Sequence, residues 1–404
     1  MVDIRFVYGA ALKPHVADFD PNSLLATAEA ATGLHNWGGK RWSESRFRQR
    51  LSAFCHDLDG VAALTSIGRS RAYSRLHVLL CSRLSQVHFQ DEKAISVLPA
   101  PIIGMGLPRA GTTFLHGLLA QDRDSLTATA AQAAIPFPLP GVGEIDEAER
   151  TRFYEEILTF QGFAAPDVTE IHPYSAGRPE ECVFLQEAVC ASPLGAFFHA
   201  PTFGALCIEP DHIDDGYAWQ KGMMASLQTN RPERRWLLKA PLHVARMDAL
   251  HKHFPDARIF VNHRDPGKVI PSMASLYMKL YSLSSESSVD PLVLGPQLVG
   301  NWKRMLEGFD RWRDAHPDVQ MIDVQYYDLI TDPIGCAERL YDKFGVTLTP
   351  AAKHAMERHL KADHHDKTPK RQYKLAEFGL VEDDIEMAYA DYIGRHGVRR
   401  EKRQ

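Results

Sequence analysis

The amino-acid sequence predicts an α/β fold in which helices flank a parallel sheet. Two observations support this prediction. Short apolar runs suited to buried strands are each followed by a stretch with helical periodicity, an alternation typical of parallel sheets whose strands are joined by helices. The chain has 404 residues, of which 45% are hydrophobic, and is therefore long enough for one such domain with a helical appendage.

The individual elements follow from local patterns. The four strand candidates occupy residues 97–106, 235–239, 258–263 and 319–326, and the helix candidates that follow them occupy residues 111–121, 243–254, 266–281 and 333–344. The first strand ends in Gly-x-Gly at Gly106, which predicts a tight loop between this strand and the next helix.

The opening of the chain is predicted to be helical, with helices at residues 21–32, 43–58 and 70–87. We therefore interpret residues 1–96 as an N-terminal helical region that serves packing or a dimer surface, and residues 97–404 as the domain that carries the chemistry. Within that domain, residues 133–232 are less regular and contain clustered prolines. We interpret this segment as a helical insertion that covers the substrate.

Charge and cysteine usage narrow the class of protein. With 46 basic and 51 acidic residues, the chain gives no general reason to expect a nucleic-acid partner. Six scattered cysteines without a C-x-x-C pair argue against a disulfide framework and a structural zinc. No signal-peptide pattern and no apolar segment of membrane-spanning length are visible, so we expect a cytoplasmic location. The sequence is compatible with a homo-oligomer.

The loop Gly106-Leu-Pro-Arg-Ala-Gly111-Thr112-Thr113 has the spacing of a P-loop, but threonine stands where the P-loop lysine would be. Glycines let backbone N–H groups curl around an oxyanion, and the following helix adds the positive end of its dipole. Arg109 would supply the cation. A phosphoryl-transferring kinase normally needs that lysine and a carboxylate at the end of a neighbouring strand, whereas the strand at 235–239 ends in Lys239. The alternative is an ordinary strand-to-helix turn.

A second anion site is predicted after the strand at 258–263. Arg264 follows this strand, and Ser272 lies eight residues later in the next helix. An arginine and a hydroxyl so placed can bind a phosphate by charge-assisted hydrogen bonds. The alternative is a local ion pair between Arg264 and Asp265, with Ser272 simply helical.

Together these two sites resemble those of the sulfotransferase family that uses 3′-phosphoadenosine 5′-phosphosulfate (PAPS), and in particular its bacterial, mycobacterial-type branch. The motifs that carry this resemblance, in the family's order along nearly the whole chain, are His172-Pro…Pro-Glu-Glu181-Cys, Trp236-x-Leu-Lys239-x-Pro-x-His243, and a basic run, Lys370-Arg371, before Tyr373-x-Leu-x-x-Phe-Gly-Leu380. The resemblance implies transfer of a sulfuryl group from PAPS to a hydroxyl of a small, hydrophobic acceptor. The alternatives are a P-loop small-molecule kinase and a catalytically impaired nucleotide-binding relative.

The resemblance also implies roles for single residues. The donor-binding set that it implies is Arg109, Ala110, Gly111, Thr112, Thr113, Phe114, Arg264, Ser272, Arg371 and Tyr373. Phe114 stands where animal cytosolic enzymes carry a tryptophan that stacks on adenine, although a core position is equally compatible with its spacing. Two departures matter: Ala110 replaces the usual serine of the loop, and Gln132 stands where relatives carry a glutamate.

Sulfuryl transfer, like phosphoryl transfer, passes through a loose, in-line transition state with charge developing on the leaving oxygen. Cations at that oxygen are needed and a metal is not expected; Arg109 and Lys239 are predicted to serve there. The general base is predicted to be His172 or Glu181, with His172 slightly favoured because of its pKa. The base must be sought elsewhere than in animal cytosolic enzymes, because Pro241 stands where they carry a histidine. Glu180 and His243 are further candidates for this base. Acidic residues after Pro179 could equally serve a helix start.

Overall fold

The computed structural model describes residues 4–91, 98–137, 146–169, 174–191, 194–228, 233–286, 289–362 and 374–401. The chain divides into two compact units. The sheet unit comprises residues 98–127, 233–276 and 290–404, and the helical unit comprises residues 1–97, 128–232 and 277–289. The N-terminal region and the segment 133–232 therefore lie in the same unit.

The sheet unit is built on five parallel strands in the order β2-β3-β1-β4-β5. Their bounds are Ile102–Gly106 for β1, Ser125–Leu126 for β2, Arg235–Lys239 for β3, Arg258–His263 for β4 and Met321–Gln325 for β5. Ile102 of β1 is paired with Leu237 of β3 on one side and with Arg258 of β4 on the other. The parallel sheet flanked by helices confirms the predicted fold class. The two-residue strand β2 is too short to leave a sequence pattern, and it was not predicted.

Eleven helices of the sheet unit fall within the described residues. They are Thr112–Leu119, Pro241–Ala245, Met247–His253, Pro266–Ser282, Pro291–Ala315, Tyr326–Thr331, Pro333–Lys343, Pro350–Ala362, Leu375–Phe378, Glu382–Ala388 and Ala390–His396; Pro266–Ser282 continues into the helical unit. We call Thr112–Leu119 the loop helix. Its Leu115 and Leu118 are fully buried in one cluster with Phe260 of β4 and Leu340. This packing fixes the start of the loop helix against the sheet, since buried leucines stabilise by roughly 1.5–3 kcal/mol each.

The helical unit contains the remaining described helices. They are Ile4–Tyr8, Gly9–Leu12, Pro21–Thr32, Glu44–Asp59, Ser66–Asp91, Ala130–Ala134, Glu147–Phe160, Pro166–Thr169, Cys182–Val189, Leu194–Phe197, Pro201–Leu206 and Pro210–Leu227. The predicted helix at residues 21–32 is confirmed, with Asp20 accepting a capping hydrogen bond of 2.8 Å from the backbone of Ser23. In none of the described helices is there a stretch long and apolar enough to cross a membrane.

A buried carboxylate joins the N-terminal helices to the helix Pro210–Leu227. Asp215 accepts hydrogen bonds from Ser43 Oγ at 2.6 Å, Arg46 Nη2 at 2.5 Å and Arg50 Nη1 at 3.2 Å. Burial would raise the pKa of Asp215, but these partners outweigh it and hold the pKa below its usual value. Removing one partner of such a buried pair would be strongly destabilising, because it leaves an uncompensated charge.

Candidate functional site

The loop between β1 and the loop helix adopts a backbone that glycine alone tolerates at two positions. Gly106 has φ 126°, and a Cβ there would lie 2.2 Å from the carbonyl oxygen of Asn262. Gly111 has φ 82°, and a Cβ would lie 2.9 Å from Cδ2 of Leu329. Arg109, between them, has φ 61°, which is uncommon for a residue with a side chain. Such a strained turn before a helix start is typical of an anion-binding loop.

Asn262 of β4 holds the loop from the neighbouring strand. Its Nδ2 donates a hydrogen bond of 3.2 Å to the carbonyl oxygen of Ala110, whose side chain is completely buried. The conformation of the loop is thus set by β4 as well as by its own glycines. Sequence analysis missed Asn262, because a single asparagine in an apolar strand has no pattern that distinguishes a functional residue from an incidental polar one.

The residues of the second predicted anion site contact the loop directly. Arg109 Nε donates to Ser272 Oγ at 3.2 Å, and Arg264 Nη1 donates to the carbonyl oxygen of Arg109 at 2.8 Å. Arg264 also lies over the ring of Tyr326, 3.8 Å from its centroid, and its guanidinium binds the carboxylate of Glu401. Burial alone would lower the pKa of Arg264, but the bond to Glu401 outweighs it and raises the pKa. Three predicted residues are therefore brought together.

Lys239 ends β3 beside the start of the loop helix. Its side chain is only 1% exposed, and Nζ donates to Thr113 Oγ1 at 3.2 Å. The lysine is therefore not a solvated side chain at a strand end. Thr112 is buried and Thr113 is exposed, while Phe114 is half-buried and packs against the core cluster of the sheet unit.

Two buried histidines lie near the charge of Lys239. The pKa of both His116 and His243 is lowered to about 3, mainly because both side chains are buried. The charge of Lys239 contributes to the lowering in both histidines, and that of Arg246 contributes in His243. His116 Nε2 lies 3.3 Å from the carbonyl oxygen of Leu237. His243 is therefore neutral and a weak base at neutral pH, which argues against it as the general base.

The Pro-Glu-Glu segment lies in the helical unit, where it pairs with the chain before Gln132. Thr129 and Pro179 form an antiparallel bridge, and the backbone N–H of Glu180 donates to the carbonyl oxygen of Ala128 at 3.0 Å. Glu181 is half-buried and immediately precedes the short helix Cys182–Val189. Both candidate carboxylates thus sit on a segment fixed by backbone hydrogen bonds.

Gln132 has a structural role. With Thr129 it forms a capping box at the start of the helix Ala130–Ala134, in which each side chain bonds the other residue's backbone N–H at 3.2 Å. Glutamate and glutamine serve equally in this motif, so the exchange at this position leaves the helix start intact.

Three predicted site residues, His172, Arg371 and Tyr373, lie outside the described residues. Two contacts of Arg264 were missed from sequence, those with Tyr326 and Glu401. Both partners are distant from Arg264 along the chain and belong to no motif that sequence analysis recognised, so no local signal identifies them.

Among the described residues, the helical unit contains two small cavities with volumes of about 20 and 10 Å³, which is room for about one water molecule each. Their shared lining residues are Arg75, Phe163 and Phe197, and the larger cavity is also lined by Tyr154, Tyr174, Glu180, Phe184 and Glu187 among others. Arg75 pairs with Glu187 and lies over the ring of Phe197, 4.1 Å from its centroid. The lining is thus mainly aromatic and aliphatic with a few buried polar groups.

Comparison with known proteins identifies the family. Residues 101–350 match the model of the Sulfotransferase family. Two curated relatives, both named omega-hydroxy-beta-dihydromenaquinone-9 sulfotransferase Stf3 and found in Mycobacterium bovis and Mycobacterium tuberculosis, are 24% identical over 321 residues, which cover 74% of this chain and 76% of theirs.

Two solved structures share the fold. Sulfotransferase STF1 of Mycobacterium tuberculosis is 26% identical with a TM-score of 0.76, covering 93% of this chain and 99% of its own. Sulfotransferase STF9 of Mycobacterium avium is 24% identical with a TM-score of 0.82, covering 96% and 100%. These comparisons confirm the prediction that the protein is a sulfotransferase, and they disfavour the alternative of a P-loop kinase. The chain belongs to the Sulfotransferase family and is similar to these mycobacterial members.

Proposed function

We propose that this sulfotransferase takes its sulfuryl group from PAPS and transfers it to the hydroxyl group of a small, hydrophobic acceptor. One observation carries the choice of donor: Arg109 of the glycine loop contacts both Ser272 and Arg264. Two anion sites so joined suit a nucleotide that bears one anion at its 5′ end and another at its 3′ position. A nucleotide with phosphates on its 5′ side alone would leave Arg264 and Ser272 without a ligand.

In this proposal the loop and the loop helix bind the 5′-phosphosulfate through backbone N–H groups and the helix dipole. Lys239 then stabilises the charge that develops on the leaving phosphate, together with Arg109. Its near-complete burial supports this role, because a cation in a water-poor site stabilises developing charge more strongly than one in water. Arg264 and Ser272 bind the 3′-phosphate, remote from the transferred group.

The acceptor is proposed to bind among the aromatic side chains around the larger cavity of the helical unit, and because that cavity has room for only about one water molecule, these side chains would have to move apart to admit it. Glu180, from the Pro-Glu-Glu segment, lines the larger cavity together with Tyr174 and Phe184. A hydroxyl group bound there would meet the carboxylate of Glu180 in a lining that is otherwise largely apolar apart from the ion pair of Arg75 and Glu187. The curated mycobacterial relatives act, by their name, on omega-hydroxy-beta-dihydromenaquinone-9, so a hydroxylated dihydromenaquinone belongs in the first panel of acceptors.

A cytoplasmic location is proposed with this function. All six cysteines lie in the described part of the chain, where each is buried and none takes part in a disulfide. Reduced thiols are the ordinary state in the cytoplasm.

The donor is tested by thermal shift with 3′-phosphoadenosine 5′-phosphate (PAP), the product nucleotide, against ATP and 5′-AMP. Because only a ligand of the native state stabilises it, PAP at saturating concentration should raise the Tm clearly more than the other two. Transfer is then measured from sulfur-labelled PAPS to a panel of hydroxylated acceptors graded by apolar size. A larger shift with ATP than with PAP would overturn the choice of donor, and transfer only to small, polar acceptors would overturn the choice of acceptor.

A further inference from the structure

The C-terminal segment binds the arginine of the second anion site. Glu401 accepts two hydrogen bonds from Arg264, from Nε at 2.6 Å and from Nη2 at 3.1 Å. Both side chains are largely withdrawn from solvent, with 21% of Arg264 and 16% of Glu401 exposed. A two-point contact of this kind fixes the plane of the guanidinium as well as its position.

Glu401 is itself placed by contacts of its backbone and its neighbours. Its N–H donates to Asp265 Oδ2 at 2.8 Å, and Arg400 pairs with Glu386 at 2.5 Å. The other oxygen of Asp265 accepts from the backbone N–H of Gly267 at 3.0 Å, at the start of the helix Pro266–Ser282. Asp265 therefore anchors the C-terminal segment to the same helix start that follows Arg264.

These contacts leave a defined part of Arg264 for a ligand. Of its five N–H groups, two donate to Glu401 and one, on Nη1, donates to the carbonyl oxygen of Arg109. Tyr326 covers one face of the guanidinium. Among the contacts within the described residues, one N–H on Nη1 and one on Nη2 remain, and Glu401 uses neither of them.

We propose that Glu401 is a positioning residue for the donor: it holds Arg264 so that these two remaining N–H groups bind the 3′-phosphate. This inference rests on the proposed function. Without the carboxylate, Arg264 would regain rotamer freedom that donor binding must then remove, and its hydrogen bond to the loop carbonyl would lose support. Glu401 bonds Nε and one hydrogen of Nη2, so the two anions do not compete for the same N–H groups.

The test compares Glu401→Gln and Glu401→Ala with the matched control Glu386→Gln, which removes an ion pair of the same segment without touching Arg264. We expect the Kd for PAP, measured by calorimetry, to rise about tenfold in both Glu401 variants, the low end of the effect of a charge-assisted hydrogen bond. The Kd for 5′-AMP, which lacks the 3′-phosphate, should stay unchanged in all three variants. In PAPS kinetics, KM should rise while kcat at saturation is retained.

The same measurements identify which idea fails. If the wild-type protein does not bind PAP, the proposed function fails and the positioning role falls with it. If the wild type binds PAP and the Glu401 variants bind it equally well, the positioning role alone is wrong. Tighter binding by the variants would mean that Glu401 competes with the donor, and an equal loss for 5′-AMP would reduce its role to general stability. Either result overturns the proposal.

Discussion

Arg109 of the glycine loop donates a hydrogen bond of 3.2 Å from Nε to Oγ of Ser272, which lies 163 residues further along the chain. Sequence analysis assigned these two residues to different anion sites, with Arg109 at the leaving group. In the structure the side chain of Arg109 reaches a residue of the second site, while its backbone carbonyl accepts a bond from Arg264. The two sites therefore share Arg109, and its loss should weaken donor binding as well as transfer.

We expect Arg264→Ala to weaken donor binding far more than turnover at saturation. The reason is its proposed contact with the 3′-phosphate, which takes no part in the reaction, and the loss of a charge-assisted bond costs about 1.5–3 kcal/mol. Calorimetry with PAP and steady-state kinetics measure the two effects separately. Ser272→Ala removes a neutral hydroxyl of the same site, so it should weaken PAP binding in the same way but to a smaller extent. An unchanged PAP affinity in folded Arg264→Ala would exclude this residue from the donor site.

In contrast to Arg264→Ala, replacement of Lys239 should lower turnover at saturation far more than it weakens donor binding. Lys239→Met keeps most of the buried volume but removes the cation next to Thr113, so the charge on the leaving phosphate loses a partner. We expect kcat to fall about a hundred- to a thousandfold while the Kd for PAP changes much less. Thr113→Val, which removes the hydroxyl that Lys239 bonds, serves as the comparison and should cost less. If Lys239→Met retains wild-type kcat, the lysine is a structural residue.

Activity is expected to be independent of divalent metal ions. Lys239 and Arg109 can offset the donor's charge, and the one cluster of metal-ligating side chains that the described residues form is already engaged. In it, Asp323 accepts hydrogen bonds from Arg313 at 2.7 and 2.9 Å and from His263 at 2.9 Å. Initial rates should therefore be equal with EDTA and with magnesium. Loss of activity in EDTA that magnesium restores would contradict this prediction.

The regular elements were predictable because their signals are local. Strands β3 and β4 and the helix Pro21–Thr32 have the predicted bounds, since apolar runs, proline and capping residues mark their ends. The helix Pro291–Ala315 was not predicted, although it follows a capping Asp290 and a proline. Its own Pro296 and three glycines weaken the helical pattern, and tertiary packing of Trp302 and Phe309 overrides that weakness.

The site residues that belong to sequence motifs could be predicted, and those outside motifs could not. Arg109, Lys239, Arg264 and Ser272 all belong to motifs. In the structure Arg109 is hydrogen-bonded to Ser272 and Arg264, and Lys239 is hydrogen-bonded to Thr113 of the loop helix. Glu401 could not be predicted, because its role depends on where the end of the chain packs and not on the residues beside it. Long-range placement of this kind is a property of the whole fold.

The buried histidines predict acid sensitivity of the fold. The pKa of His116 and of His243 is lowered from an ordinary 6.5 to about 3, so between these values the unfolded chain binds protons that the folded chain does not. Their contribution is therefore complete well above pH 6.5 and declines as the pH falls through 6.5, by roughly 1 kcal/mol for each histidine at pH 5.5. Urea unfolding at pH 7.5 and 5.5 measures the loss. His243→Gln, which cannot be protonated, should lose less on acidification; an equal loss would show that His243 contributes nothing.

The general base is expected to come from the His172 to Glu181 segment. His243 is a weak base because its pKa is lowered to about 3, and Gln132 cannot accept a proton at neutral pH and serves a capping box. We expect His172→Ala or Glu181→Ala to lower kcat at saturating donor and acceptor by about a hundred- to ten-thousandfold, with PAP affinity intact. The variant that lacks the base should also lose the acidic limb of the pH–rate profile, which a structural defect would leave in place. The neighbouring Glu180→Gln, at the wall of the proposed acceptor cavity, is the comparison and should raise the KM for the acceptor more than it lowers kcat. If Glu180→Gln or His243→Ala alone shows the fall, our assignment of the base is wrong, and the proton acceptor lies on the cavity wall or after β3.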